Sequence, residues 1–132
     1  MGTERRPRAL VIDDDAAMRE MVVCMLDCAG FDAEAAADAD EGLFALQARS
    51  YQVAVCDVHM PRRDGFAFAR AAQRIRPDMP VVLMSSFGCD RTRADSAAAG
   101  AAGFVAKPFS IGQLREAVSA VLAPKPAPIA PS

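Results

Sequence analysis

The chain has 132 residues, with 15 Lys or Arg against 17 Asp or Glu and a formal net charge of -2; that balance gives no basis for a nucleic-acid-binding surface. Apolar residues make up 52% of it, a globular composition, and the length suits one domain around one sizeable core. No apolar run approaches the roughly 20 residues of a membrane span, and Met1-Gly2-Thr3-Glu4-Arg5-Arg6-Pro7-Arg8 lacks the apolar stretch of a signal peptide, so a cytoplasmic protein is expected.

Residues 1–7 read as a flexible arm. Arg8 to Ile12 reads as a first strand, ending in Asp13-Asp14-Asp15. Ala16 to Ala29 reads as a helix with Met18, Met21, Val22, Met25, Leu26 and Ala29 on one stripe, and Gly30 stands where a C-terminal cap belongs. Phe31 to Ala36, with Asp32 and Glu34, suits an edge strand. Asp38 or Asp40 caps a helix that reaches Arg49, with Leu43, Phe44 and Leu46 expected inward. Val53-Ala54-Val55-Cys56 is an unbroken apolar strand, as one buried on both faces should be, and it delivers Asp57. Asp64-Gly65 marks a turn into a helix reaching about Ile75. Val81-Val82-Leu83-Met84 is the fourth strand, ending at Ser85. Arg91 to Ala99 holds an alanine-rich helix without a clear apolar stripe. Phe104-Val105-Ala106 is the fifth strand, ending at Lys107-Pro108. Ile111 to Leu122 is amphipathic, with Ile111, Leu114, Val118, Val121 and Leu122 expected inward. Pro124 to Ser132 reads as a proline-rich tail or linker after a domain spanning 8–123.

Strict alternation of strand and helix predicts βαβ units, right-handed crossovers and one parallel sheet with helices on both faces. Carboxylates, a carboxylate, a hydroxyl and an ammonium then meet at one sheet edge, where open α/β sheets bind ligands. Asp13, Asp14 and Asp57 offer hard oxygen ligands of the kind that Mg²⁺ prefers. A carboxylate can also be a nucleophile and form an acyl phosphate. Lys107 supplies a point positive charge for a phosphoryl oxygen, and Ser85 a hydroxyl. Positioning and electrostatics are most of what phosphoryl transfer asks of a protein.

Four motifs carry a family resemblance: Val11-Ile12-Asp13-Asp14-Asp15, Cys56-Asp57-Val58-His59-Met60-Pro61 with Asp64-Gly65, Leu83-Met84-Ser85-Ser86, and Gly103-Phe104-Val105-Ala106-Lys107-Pro108-Phe109. In this order the chain resembles the receiver domain of two-component response regulators, over about Arg8 to Ala123. The resemblance implies a doubly wound, flavodoxin-like sheet of five strands with five helices. It implies that Asp57 is the phosphoacceptor, with Asp13, Asp14 and the backbone carbonyl of His59 holding Mg²⁺. Lys107 would contact the phosphoryl group, Ser85 would be the switch hydroxyl, and Phe104 the aromatic that changes rotamer with it. The Lys107-Pro108 bond would be cis. The implied partners are a sensor histidine kinase or histidine phosphotransfer protein as donor, and an output protein on the face built from the fourth helix, fifth strand and fifth helix.

The pattern has departures. Ser85 stands where threonine is more frequent, Phe104 where tyrosine is, and Ser86 where alanine is. His59, the chain's single histidine, follows Asp57 by two positions, where its ring would shade the phosphate or lie in solvent. Arg62, Arg63, Arg91 and Arg93 read as a solvated face or as a recruiter of an anionic partner. Cys56 reads as core. Cys24, Cys28, Cys56 and Cys89 have no CxxC spacing, so zinc is not expected and the thiols read as reduced. With Val23, Cys24 and Cys28 give the first helix a less polar outer side, either plain surface variation or a contact for a kinase helix. No output domain is recognisable, which suggests a single-domain regulator, with a receiver cut from a longer protein as the alternative. The rivals are a binding module that takes no phosphate and a phosphohydrolase with an aspartyl nucleophile. The phosphohydrolase usually carries a second acid where His59 stands. The receiver is read as a phosphoacceptor rather than as an enzyme with its own substrate.

Overall fold

A computed structural model describes residues 6–88 and 90–122. The proline-rich tail, most of the N-terminal arm and Cys89 lie outside the described residues. Elements alternate as β1 (Arg8–Ile12), α1 (Ala16–Cys28), β2 (Asp32–Ala36), α2 (Ala39–Ala48), β3 (Val53–Asp57), α3 (Gly65–Ile75), β4 (Val81–Ser85), α4 (Asp90–Ala98), β5 (Gly103–Ala106) and α5 (Ile111–Leu122). The five strands form one parallel sheet in the order β2-β1-β3-β4-β5. The chain steps outward from β1 to β2, then crosses back to β3. That reversal opens a crevice at the C-terminal ends of β1 and β3, the switch point where such sheets bind ligands.

Burial follows position in the sheet. Every residue of β3 and β4 is buried, since helices cover both faces of those strands. The sheet divides the core in two. Ile12, Leu46, Cys56, Phe68 and Leu83 fill the α2–α3 side; Val11, Val22, Leu26, Val55, Leu114 and Val118 fill the α1–α5 side. Successive strand residues point to opposite faces, so each strand feeds both halves. A fully buried side chain such as Leu46 contributes about 1.5–3 kcal/mol.

Caps set the helix starts. Asp15 accepts from the N–H groups of Ala17 and Met18, Asp38 from that of Glu41 and Asp64 from that of Ala67. Asp15 therefore belongs to the helix, whereas Asp13 and Asp14 stand free to serve the sheet edge. Gly30, at φ +101°, ends α1 as expected.

Three side chains expected inward are exposed: Met21 at 41%, Phe44 at 72% and Ile111 at 40%. Met21 and Phe44 each stand one position from a buried residue, Val22 and Leu43, and so turn to another side of their helices, while Ile111 is the first residue of α5. β2 is an edge strand, and its Glu34 is occupied. The carboxylate accepts from the Tyr51 hydroxyl at 2.7 Å and pairs with Arg49 at 3.0 Å and Arg8 at 3.4 Å. Burial, then the Glu34 bond, raises the Tyr51 phenol to about 12. No helix among the described residues is long and apolar enough to cross a membrane.

Candidate functional site at the C-terminal sheet edge

β1, β3, β4 and β5 deliver Asp13, Asp57, Ser85 and Lys107 to one place. Asp13 is 1% exposed, Asp57 6% and Ser85 0%, so these polar groups require partners. Lys107 provides one: its Nζ lies 3.0 Å from Asp57 Oδ1 and 3.3 Å from Asp13 Oδ2. Asp13 Oδ1 accepts from the Asp15 N–H at 3.0 Å, and Arg19 reaches back from α1 to donate to the Asp13 carbonyl at 2.6 Å. Asp14 is exposed. One carboxylate oxygen from each of Asp13, Asp14 and Asp57 lies within 4.8 Å of the others. Three acids that close, two of them buried, repel one another. A divalent cation would be held here by hard oxygen donors alone, the set that suits Mg²⁺.

Burial raises the Asp57 carboxyl above its ordinary value; the Lys107 hydrogen bond and charge pull it down, and Asp13 and Asp14 push it up again. Burial alone would lower Lys107. Its bond to Asp57 and the charges of Asp57 and Asp13 outweigh that, so its net shift is upward. Cys56 is fully buried, and burial followed by the neighbouring Asp57 charge holds its thiol far above the usual range, which makes it core and not a nucleophile.

Local backbone fixes the end of β3 that carries Asp57. Val58 N–H continues the ladder to the Met84 carbonyl at 2.8 Å, and Gly65 N–H donates to the Val58 carbonyl at 2.8 Å. A Cβ on Gly65 would stand 2.5 Å from the Asp57 carbonyl oxygen and 2.8 Å from Val58 Cα. Both neighbours are backbone and cannot move aside cheaply. Gly65→Ala is expected to cost about 2 kcal/mol, within the usual range for overpacking. The readout is a lowered urea midpoint; an unchanged midpoint would show that the β3–α3 loop absorbs the methyl.

Ser85 Oγ accepts from the Phe87 N–H at 3.0 Å, and the Ser85 carbonyl accepts from Lys107 N–H at 2.8 Å. The Lys107-Pro108 peptide is cis, as the motif implied. Phe104 is half-buried against the α2–α3 side of the core, with the Arg93 guanidinium 4.8 Å from its ring centroid. His59 is exposed and meets the Phe87 ring edge-on, centroids 5.0 Å apart at 82°. Phe87, 62% exposed beside the pocket, and Arg19 were not singled out from sequence. The only signal for Phe87 is an aromatic two residues beyond the hydroxyl-bearing strand end. Of the arginines, Arg63 pairs with Asp40 at 3.3 Å; Arg62 reaches Asp38, and Arg91 reaches Asp95, at 4.0 Å. Exposed pairs of this kind contribute little. Cys24 and Cys28 are exposed free thiols.

A family model described as the response regulator receiver domain matches residues 9–119. The chain belongs to the response regulator receiver domain family. The receiver domain is 33% identical over 108 residues to the C4-dicarboxylate transport transcriptional regulatory protein DctD of Rhizobium meliloti, covering 82% of this chain and 24% of that protein. It is 35% identical over 112 residues to the transcriptional regulatory protein FixJ of Bradyrhizobium diazoefficiens, covering 85% of this chain and 55% of that one. The receiver domain thus spans between 24% and 55% of the length of these two relatives. Among solved structures, the chemotaxis protein CheY4 of Vibrio cholerae superposes with a TM-score of 0.84 at 30% identity, covering 89% of this receiver domain and 99% of that chain.

Proposed function

We propose that this receiver domain accepts a phosphoryl group on Asp57, in a Mg²⁺-dependent step, from the phosphohistidine of a sensor histidine kinase or phosphotransfer protein in the cytoplasm. The supporting observation is the cluster itself: a buried carboxylate at a strand end, two further carboxylates within 4.8 Å and an ammonium 3.0 Å away. Mg²⁺, when bound by Asp13, Asp14, Asp57 and the His59 carbonyl, supplies charge that offsets the acids and the incoming phosphoryl oxygens. An Asp57 oxygen attacks phosphorus as the bond to the donor imidazole breaks, leaving an acyl phosphate. Lys107, already between Asp57 and Asp13, steadies a phosphoryl oxygen with its charge. The domain catalyses its own transfer and its own dephosphorylation, and acts on no separate substrate.

The modification adds nearly two negative charges. Ser85, whose hydroxyl oxygen now accepts from Phe87 N–H, can turn its proton to a phosphoryl oxygen. Phe104 fills the space so released, and the face formed by α4, β5 and α5 shifts population between two states. An output partner reads that face through protein contact. DctD and FixJ are named as transcriptional regulatory proteins, and control of transcription is one output such a partner can provide.

The test is incubation with Mg²⁺ and acetyl phosphate, followed by intact mass and peptide mapping. An adduct on Asp57 supports the reading; no adduct, or one that maps elsewhere, rejects it. Asp14→Asn is expected to weaken Mg²⁺ binding in a calorimetric titration while leaving apo stability equal or higher, because it relieves crowding. A loss of apo stability above about 1 kcal/mol would instead make Asp14 structural. Ser85→Ala is expected to take phosphate yet keep the resting pattern of amide shifts across residues 85–115. A full wild-type response in this variant would exclude Ser85 from the coupling.

A further inference from the structure

Phe104 lacks the phenolic oxygen that would let a hydrogen bond hold its ring. Its place is set by packing on one side and by a cation on the other. Inward, the ring lies on the α2–α3 side of the core with Leu83. Outward, the Arg93 guanidinium stands 4.8 Å from its centroid, within the distance at which a cation is attracted by a ring face. Arg93 belongs to α4, a helix with little other grip on the sheet. Ser96 is its one buried residue, and that hydroxyl is turned back to the Thr92 carbonyl at 2.8 Å. Arg93, Ser96 and Ala97 of α4 share a shallow depression with Phe104.

The register connects this contact to the pocket. Leu83 pairs with Phe104 and Ser85 with Ala106. Residues two apart on a strand share a face, so Ser85 and Phe104 lie on the same side of the sheet on adjacent strands. Room released by Ser85 therefore opens beside the Phe104 ring. A ring that moves into that room withdraws from the guanidinium, which faces it from the solvent side.

We infer that Arg93 is a positioning residue, which latches Phe104 in its resting place through the ring face and so ties α4 to the state of Ser85. The inference rests on the phosphoacceptor reading and adds to it the element that opposes the switch. The contact exists in one of the two states only, and a group bonded differently in two states biases their populations. Loss of Arg93 should then move the unphosphorylated domain toward its phosphorylated arrangement. An exposed cation–π contact is worth roughly a two- to fivefold change in the population ratio.

The test uses the full chain labelled with 4-fluorophenylalanine, with the Phe104 fluorine signal assigned by Phe104→Leu. Spectra are taken with Mg²⁺, before and after acetyl phosphate, alongside intact mass. Arg93→Met removes the cation and keeps a long side chain; Arg93→Lys keeps a cation with weaker ring contact. In unphosphorylated Arg93→Met the Phe104 signal should sit partway toward its phosphorylated position. Arg93→Lys should lie between Arg93→Met and wild type. Both variants should still take phosphate and unfold cooperatively, with a melting temperature lowered by only a few degrees; a merely structural role would lower it without moving the Phe104 signal toward its phosphorylated position. A resting Phe104 signal unmoved in Arg93→Met, with the phosphate adduct present, overturns the latch and leaves the phosphoacceptor reading standing. Should Arg93→Met fail to fold cooperatively, a wild-type signal in Arg93→Lys would equally overturn it. Absence of an adduct in the wild type overturns the phosphoacceptor reading and the latch with it.

Discussion

Asp57→Asn is expected to abolish the phosphate adduct and to leave the metal-free domain no less stable at neutral pH. The first effect follows from chemistry: an amide is a poor nucleophile, and the Asp13 and Asp14 carboxylates lack Asp57's place at the end of the central strand β3. The second follows from the sign of the shift. Burial first, with Asp13 and Asp14 adding to it, raises the Asp57 carboxyl above 3.8 despite Lys107. A carboxyl raised in the folded state stabilises folding while it is protonated. That contribution is complete below the unfolded value and is lost as pH rises through the folded one. At neutral pH the wild type has lost it and keeps a buried charge, whereas asparagine is neutral throughout. Urea unfolding at pH 7 and near pH 4 reads this directly: the variant's advantage should shrink at the lower pH. An adduct of undiminished yield in Asp57→Asn would displace Asp57 as acceptor. A variant weaker by more than about 1 kcal/mol at pH 7 would mean that the carboxylate serves the fold.

Lys107→Ala is expected to lower apo stability by about 2 kcal/mol at pH 7, because it leaves two buried carboxylates facing each other without their ammonium. Burial pulls the Lys107 pKa down, but Asp57 and Asp13 more than compensate, so it is raised above 10.5. A lysine raised in this way contributes fully below its unfolded value and loses the contribution only as pH climbs through the folded one. Its effect is therefore present across the neutral range. The deficit should narrow on acidification, as Asp57 protonates, and on addition of Mg²⁺, which supplies charge to the same oxygens. The variant should still take some phosphate but show no wild-type shift response. Equal stability of Lys107→Ala and wild type at pH 7 without Mg²⁺ would show that the pocket needs no cation.

The strand ends were the legible part of this molecule. Apolar runs of four or five residues that stop at Asp13, Asp57, Ser85 and Lys107 specify where polar groups emerge, and parallel pairing then brings them together. Family resemblance, rather than periodicity, supplied their expected roles. Helix faces were less legible. Met21 and Phe44 adjoin the buried Val22 and Leu43 and so cannot share their helix face, and Ile111 begins its helix, so all three are exposed although apolar. α4 has almost no apolar stripe, and alternation gave its place better than its composition did. The contacts of Phe87 with His59 and of Arg93 with Phe104 join loops and elements far apart in sequence, so no local pattern announces them. Asp13, Asp14 and Asp15 look alike in a run; only the backbone separates the helix cap from the two acids that face the pocket.

The cluster around Glu34 bears on how the molecule behaves among its own copies. An outer strand presents unsatisfied backbone groups on which a strand from another chain can add. β2 presents an exposed Asp32 and a Glu34 held by Arg8, Arg49 and Tyr51. A neighbour laid along this border would have to dismantle that cluster or strip it of water. Ribbon-like polymerisation is thereby discouraged at the border remote from β5.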